Sequence, residues 1–148
     1  MRVIRGLNNI KNINCCALTI GNFDGLHVGH KKIILKLKNK AKELGVPTVM
    51  ISFSNPPEEF FGKKIAKISN FREKCLLLKS FGVETLVLVR FNKNFANISA
   101  KSFIEEIIIK KLNAKYCLIG EDFRFGKNRL GDFNTLKKYA TVGFFNVE

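Results

Sequence analysis

Short apolar runs alternate along this chain with longer segments in which apolar residues recur at helical spacing. The short runs predict strands at about 16–20, 47–53, 85–89, 116–119 and 144–147. The longer segments predict helices at about 30–44, 70–81, 100–112 and 134–140. Because the strands are apolar throughout instead of alternating, they indicate a parallel sheet that crossover helices cover on both faces. The predicted fold is therefore doubly wound α/β, with residues 1–148 forming a single domain.

Local signals mark the ends of these helices. Asn70 and Glu73 have the spacing of a capping box, and Ser99 can cap the helix that follows it. Gly45 and Gly82 stand where the first two helices are predicted to stop. These residues predict that the connections between elements are short and well defined.

The loop at 21–30 contains three glycines and both histidines of the chain. Ligands of doubly wound sheets bind beyond the carboxyl ends of the strands, which is where this loop is predicted to lie. Its glycines allow the backbone to approach a ligand closely, and a helix that begins near Val28 offers free N–H groups to phosphate. His27 and His30 are three residues apart, so both imidazoles can donate to one polyphosphate.

This pattern predicts a phosphate-binding loop, although neither a Walker P-loop nor a G-x-G-x-x-G motif occurs. Two other interpretations of the same residues are open. One is a plain tight connection with polar surface histidines, and the other is a zinc site formed by Asp24, His27 and His30. Phosphate binding accounts for the glycines, whereas a zinc ion does not.

The charge balance favours an anionic partner, with 26 Lys and Arg residues against 12 Asp and Glu residues and a net charge of +14. Only six of the 26 are Arg, the residue better suited to bidentate contacts with phosphates and bases. The Lys-rich stretch at 31–42 is interpreted as the solvated face of a helix. Small anionic ligands are therefore expected, and nucleic acid is not.

Length and composition are those of a globular domain, with 148 residues, 46% of them hydrophobic and 26% charged. No run reaches the roughly 18 apolar residues of a membrane span, and no signal sequence follows the basic N-terminus. The four cysteines lack C-x-x-C spacing and are interpreted as buried thiols. The expected compartment is the cytoplasm, without membrane association.

Two loop motifs carry a family resemblance. The pattern Gly21-x-Phe23-Asp24-x-x-His27-x-Gly29-His30 resembles the H-x-G-H signature of the nucleotidyltransferase superfamily. The segment at 120–132, which reads G-E-D-F-R-F-G-x-x-R-x-G-D, resembles the adenylyltransferase domain of bacterial FAD synthetases. Those enzymes are usually bifunctional riboflavin kinase/FMN adenylyltransferases. The resemblance covers about 4–147 and implies a Rossmann-like nucleotidyltransferase fold.

The resemblance implies transfer of AMP from ATP to FMN, giving FAD and pyrophosphate, with Mg²⁺ bridging phosphate oxygens and no covalent enzyme intermediate. It assigns His27 and His30 as catalytic residues. The implied ATP-binding residues are Gly21, Asn22, Phe23, Asp24, His27, Gly29 and His30. The implied flavin-binding residues are Phe53, Pro57, Asp122, Phe123, Phe125 and Arg129. No protein side chain is assigned as a metal ligand.

The chain also departs from the family pattern. After the strand at 47–53 the family usually reads F-E-P-x-P, and here only Phe53 and Pro57 keep their places. The family has a second nucleotide-binding motif, S-S-x-x-x-R, but no Ser-Ser pair occurs in this chain. The expectation is therefore a domain that is incomplete at its C-terminus, is followed by a riboflavin kinase domain in full-length relatives, and can be inactive in isolation.

Two alternatives to FAD synthesis are consistent with parts of the sequence. One is another H-x-G-H transferase, such as a cytidylyltransferase or a pantetheine-phosphate adenylyltransferase, against which the segment at 120–126 argues. The other is a basic nucleotide- or nucleic-acid-binding module without catalysis, which predicts steeply salt-dependent oligonucleotide binding and no response to ATP.

Overall fold

The computed structural model describes residues 1–55, 62 and 70–148. In these residues six strands form one sheet in the order β1-β4-β3-β2-β5-β6, and every neighbouring pair is parallel. The strands are β1 (Arg2–Arg5), β2 (Cys16–Ile20), β3 (Thr48–Phe53), β4 (Thr85–Val89), β5 (Ala114–Leu118) and β6 (Asn146–Val147). Parallel strands must be joined by crossovers, and the segments between them supply these connections.

The helices flank this sheet. They are α1 (Val28–Leu44), α2 (Phe71–Ser80), α3 (Lys93–Ala96), α4 (Ala100–Ser102) with the π-helix Phe103–Lys111 that continues it, and α5 (Phe133–Thr141). Short 3₁₀ turns occupy Leu7–Asn9 and Lys127–Arg129. The doubly wound α/β prediction is confirmed, as are the predicted strands and longer helices apart from shifts of a few residues at their ends.

Three elements differ from the sequence-based prediction. β1 was missed because Ile4 is its one buried residue, so its hydrophobic signal is too short to detect. α3 was missed because four residues show no periodicity. The segment predicted as a regular helix near 100–112 forms π-helical turns, in which the N–H of Leu112 donates to the carbonyl of Ile107.

Buried apolar side chains cover both faces of the sheet. On one face, residues of the π-helix pack with Leu18, Ile20 and Ile51 from the strands. On the other face, Ile34 of α1 and Leu78 of α2 belong to one smaller cluster, and Leu37 of α1 belongs to another. Within the described parts of the chain, no helix has the length and apolar character needed to cross a bilayer. All four cysteines of the chain are free thiols.

The order of the strands reverses beside β2. From β2 the chain moves outward through β3 to β4, and it then returns to place β5 on the other side of β2. The loops that leave β2 and β5 therefore diverge from a shared crevice, which is the usual ligand site of doubly wound sheets. These are the loops that carry both sequence motifs.

Candidate functional site

A cavity of about 220 Å³ opens at the carboxyl ends of the central strands. It brings together the end of β2, the end of β3, the segment after β4, the start of the π-helix and the loop after β5. The lining residues are Ile20, Gly21, Asn22, Phe53, Phe91, Phe95, Ala96, Phe103, Asp122, Phe123, Arg124, Phe125, Gly126 and Arg129. Such a mostly apolar pocket with a few polar groups at a switch point is typical of a small-molecule site.

The wall of the cavity is a chain of phenylalanine rings. Phe95 contacts three of them edge-on, with centroid distances of 5.6 Å to Phe53, 5.3 Å to Phe91 and 6.1 Å to Phe103. Phe123 and Phe125 continue the wall, their rings 5.7 Å apart and close to parallel, with 16° between the planes. Aromatic walls of this kind suit a flat conjugated ring, which can stack on a face or meet an edge.

The loop at 120–132 is held in a defined shape. Phe125 and Gly131 form an antiparallel bridge, with N–H donors of each residue 2.8–3.0 Å from the other's carbonyl. Gly126 has a φ of +76°, and a Cβ at this position would come within 2.6 Å of the Ala100 backbone nitrogen. Only glycine fits here, so the loop is closely packed on α4.

Polar side chains stand at the rim of this loop. Asp122, Arg124 and Arg129 line the cavity but are all exposed. The Asp122 carboxylate therefore reaches the cavity from a solvent-exposed position. Of the two arginines that line the cavity, Arg124 donates to the carbonyl of Phe123, and the Arg129 guanidinium makes no hydrogen bond to the described residues.

His27 caps the helix that follows the β2 loop. Its Nδ1 accepts hydrogen bonds from the backbone N–H groups of Gly29, at 3.1 Å, and His30, at 3.4 Å. This cap explains why α1 begins at Val28, two residues earlier than the periodicity predicts. It also corrects the expectation that the first N–H groups of the helix are free for phosphate, because two of them already donate to His27.

The two histidines form one unit. Their rings stack with centroids 3.6 Å apart, and the Phe23 ring lies 5.0 Å from that of His30. The Nδ1 atom of His30 is buried and has no hydrogen-bond partner within the described part of the chain. A buried imidazole nitrogen without a partner is costly unless something else, such as a ligand oxygen, satisfies it.

The pKa of His30 is lowered, first by partial burial and then by electrostatic interaction with His27 and Lys74, while Asp24 acts in the opposite direction. At neutral pH the His30 imidazole is therefore held in its neutral form. A neutral imidazole can donate a hydrogen bond from one nitrogen while the other accepts.

The structure divides the residues that the sequence singled out into two adjacent groups. Gly21, Asn22, Phe53, Asp122, Phe123, Phe125 and Arg129 line the cavity. Phe23, His27 and His30 are in ring contact beside it, with Gly29 in the cap and Asp24 close enough to His30 to affect its pKa. Pro57 lies outside the described residues. Gly21 and Asn22 connect the two groups.

Sequence reasoning missed Phe91, Phe95 and Phe103 as cavity residues. The signal that could have found them is the position of Phe91 and Phe95 just after a buried strand, at the same sheet edge as the two motifs. Phe103 gave no such signal, since its helical spacing is equally that of a core residue.

The described residues contain no group of three or more His, Cys, Asp or Glu side chains arranged to hold a metal ion. Asp24, His27 and His30 do not form such a group, so the described structure adds no support to the zinc interpretation.

Fold and site together define the class of this protein: a doubly wound α/β protein with an aromatic cavity and a histidine-capped helix at one switch point. Comparison with known proteins identifies the family within this class. The model of the FAD synthetase family matches residues 9–148, and the chain belongs to that family.

Curated relatives of this chain have names that agree with this family. The chain is 43% identical over 150 residues to the bifunctional riboflavin kinase/FMN adenylyltransferase of Buchnera aphidicola subsp. Acyrthosiphon pisum, covering 99% of this chain and 48% of the relative. The protein of the same name from Escherichia coli strain K12 is 38% identical over 151 residues, with coverages of 99% and 48%. The chain spans about half the length of the curated relatives it matches.

Two solved structures resemble the fold. A crystal structure described as a macrolide-efflux protein from Streptococcus pneumoniae superposes with a TM-score of 0.85 at 28% identity, covering 99% of this chain and 49% of that one. A universal stress protein from Archaeoglobus fulgidus gives a TM-score of 0.50 at 11% identity, covering 91% of this chain and 92% of that one, and shows similarity of fold alone.

Proposed function

We propose that this chain is an FMN adenylyltransferase domain, which transfers AMP from ATP to FMN and releases FAD and pyrophosphate. The observation that carries the proposal is the adjacency of two groups at one switch point. The aromatic cavity would receive the isoalloxazine ring, and the paired histidines would meet the triphosphate. Gly21 and Asn22, which line the cavity and begin the histidine loop, would lie where the two substrates join.

The reaction requires a nonbridging oxygen of the FMN phosphate to form a bond with the α-phosphorus of ATP. The bond from that phosphorus to the oxygen bridging it to the β-phosphorus breaks, and the oxygen leaves with pyrophosphate. The chain contributes alignment and donors, not a nucleophile. With Nδ1 of His27 engaged in the helix cap, its Nε2 is the atom left to donate to a phosphate oxygen.

Mg²⁺ is proposed only as part of the ATP complex. It binds phosphate oxygens and water and needs few protein ligands, so it would neutralise phosphate charge. We also propose a cytoplasmic location, which the four free thiols support. The relatives named as bifunctional support a riboflavin kinase activity that supplies FMN, carried C-terminally in full-length relatives.

The test is to incubate the purified chain with FMN and Mg-ATP and to quantify FAD by chromatography, while FMN binding is followed by quenching of flavin fluorescence. FAD formation is the expected result. CTP with FMN, and ATP with phosphopantetheine, serve as substrate controls for the alternative transferases. Salt-dependent oligonucleotide binding with no flavin or ATP binding would contradict the proposal.

A matched pair of variants ties flavin binding to the cavity. Phe95→Ala removes the ring that contacts three others in the wall and is expected to weaken FMN binding about tenfold or more. Phe144→Ala removes a half-exposed ring outside the cavity and is expected to bind FMN as the unaltered chain does. Equal FMN affinities in the two variants, both folded by circular dichroism, would place the flavin elsewhere.

A further inference from the structure

A lysine is buried beneath the histidine loop. Lys74, in the first turns of α2, is 7% exposed, and among the described residues it is the one buried side chain that carries a charge. Its Nζ donates to the hydroxyl of Ser52 in β3 at 2.6 Å and to the backbone carbonyl of Asn22. One ammonium thus connects a helix, a strand and the first residues of the loop at 21–30.

The charge of Lys74 is not needed to satisfy the carbonyl of Asn22. The Ser52 hydroxyl already donates to that oxygen at 2.8 Å. Burying an ammonium is costly, and an apolar side chain of similar length would avoid this cost. Lys74 also brings a positive charge under a loop that the net charge and the glycines make suitable for an anion.

The same charge reaches the histidines. It contributes to the lowered pKa of His30, behind partial burial and His27 and against Asp24. The charged groups that act on His30 in the described structure are thus on the loop itself and on α2. Lys74 is fixed by hydrogen bonds to β3 and to the loop.

We propose that Lys74 is a positioning residue for adenylyl transfer, which anchors Asn22 to the end of β3 and presents a buried positive charge to the polyphosphate-binding side of the loop. It acts through the loop and is not itself assigned a contact with substrate. The inference rests on the proposed function, since ATP is the anion that the loop would hold.

Lys74→Met tests the proposal, with Lys79→Met as its control on the same helix, where Lys79 is exposed. Lys74→Met is expected to fold, because Ser52 still satisfies the Asn22 carbonyl, and to raise the KM for ATP about tenfold or more. Its His30 imidazole, observed by nitrogen-15 NMR, is expected to titrate at higher pH because a positive neighbour has been removed. Lys79→Met should leave KM and the titration unchanged.

A purely structural role predicts a different result: lower stability to urea, with KM for ATP and the titration of His30 both unchanged in the folded variant. That result would overturn the proposal. Lys74→Arg provides the rescue, because a guanidinium keeps the positive charge. This variant should restore the titration of His30 even where the larger guanidinium group lowers the affinity for ATP.

Two further arms keep the test decisive. If Lys74→Met does not fold, Ser52→Ala loosens the anchor while keeping the ammonium, and an unchanged KM for ATP in that variant would contradict the anchoring role. If the unaltered chain neither binds ATP nor forms FAD, the proposed function has failed. The titration of His30 in Lys74→Arg and Lys74→Met then still decides whether Lys74 acts on the loop.

Discussion

His27 is placed to serve both the stability of α1 and the proposed chemistry, and two substitutions separate these roles. His27→Ala removes the Nδ1 acceptor for the N–H groups of Gly29 and His30 as well as the free Nε2 donor. His27→Asn replaces the imidazole with a good N-cap residue, whose side-chain oxygen can accept hydrogen bonds from the same N–H groups. The shorter Asn side chain places no donor at the position of the His27 Nε2 atom.

Loss of the cap should cost about 1 kcal/mol, which for a domain of this size lowers the Tm by about 3 °C. His27→Asn should keep most of this stability. Loss of one preorganised donor to developing charge on phosphate typically costs about 10²–10³ in rate, and both variants should show it. Thermal unfolding followed by circular dichroism and FAD formation under saturating substrates are the two measurements.

The two roles of His27 can be refuted separately. FAD formation within threefold of the unaltered chain in His27→Asn would refute the role of the imidazole as a phosphate donor. An unchanged Tm in His27→Ala would refute the helix cap. Equal Tm losses in both variants would show that the stacking with His30, not the cap, contributes the stability.

Two other substitutions probe the loop after β5 and the helix that follows it. Gly131→Ala should weaken FMN binding in a fluorescence titration, because a Cβ there would come within 2.7 Å of the Phe125 ring in the cavity wall. The control is Gly120→Ala, which should leave FMN binding unchanged because no atom lies within 4 Å of a Cβ at that position. Equal FMN affinities in the two variants would contradict this packing. Asp132 accepts from the N–H and hydroxyl of Thr135, which lower the pKa of its carboxyl. The stability that this interaction adds is present above the unfolded-state pKa of about 4 and is lost as pH falls through the lower folded-state pKa. Asp132→Asn should therefore reduce the fall in the free energy of unfolding by urea as the pH is lowered into the acid range. An unaltered pH dependence would exclude Asp132 as the source of that fall.

The sequence predicted those parts of the fold that depend on periodicity and local signals. The capping box of Asn70 and Glu73 is present with both hydrogen bonds, and Gly45 ends α1 in the left-handed conformation. The strands at the centre of the sheet are apolar because both their faces are covered. Edge strand β1 escaped prediction since its single inward residue leaves no pattern to detect.

The candidate site was predictable where motif residues line it directly and was not where distant segments meet. That Phe95 joins the cavity depends on how α3 returns to the sheet edge, which no local pattern encodes. The position of Lys74 depends on the same kind of long-range packing, since it lies 52 positions from Asn22 in the sequence. Its spacing within α2 alone is that of any charged residue in a helix.

The free thiols make the opening of the sheet measurable without any label being introduced. Cys16 in β2 and Cys117 in β5 are fully buried on the two strands that flank the switch point, and burial raises the pKa of both thiols, to about 12 for Cys117. Such thiols react only when the strands separate. The rate at which a thiol reagent modifies them therefore reports the free energy needed to open the crevice, and a ligand bound there should slow that rate in proportion to its occupancy.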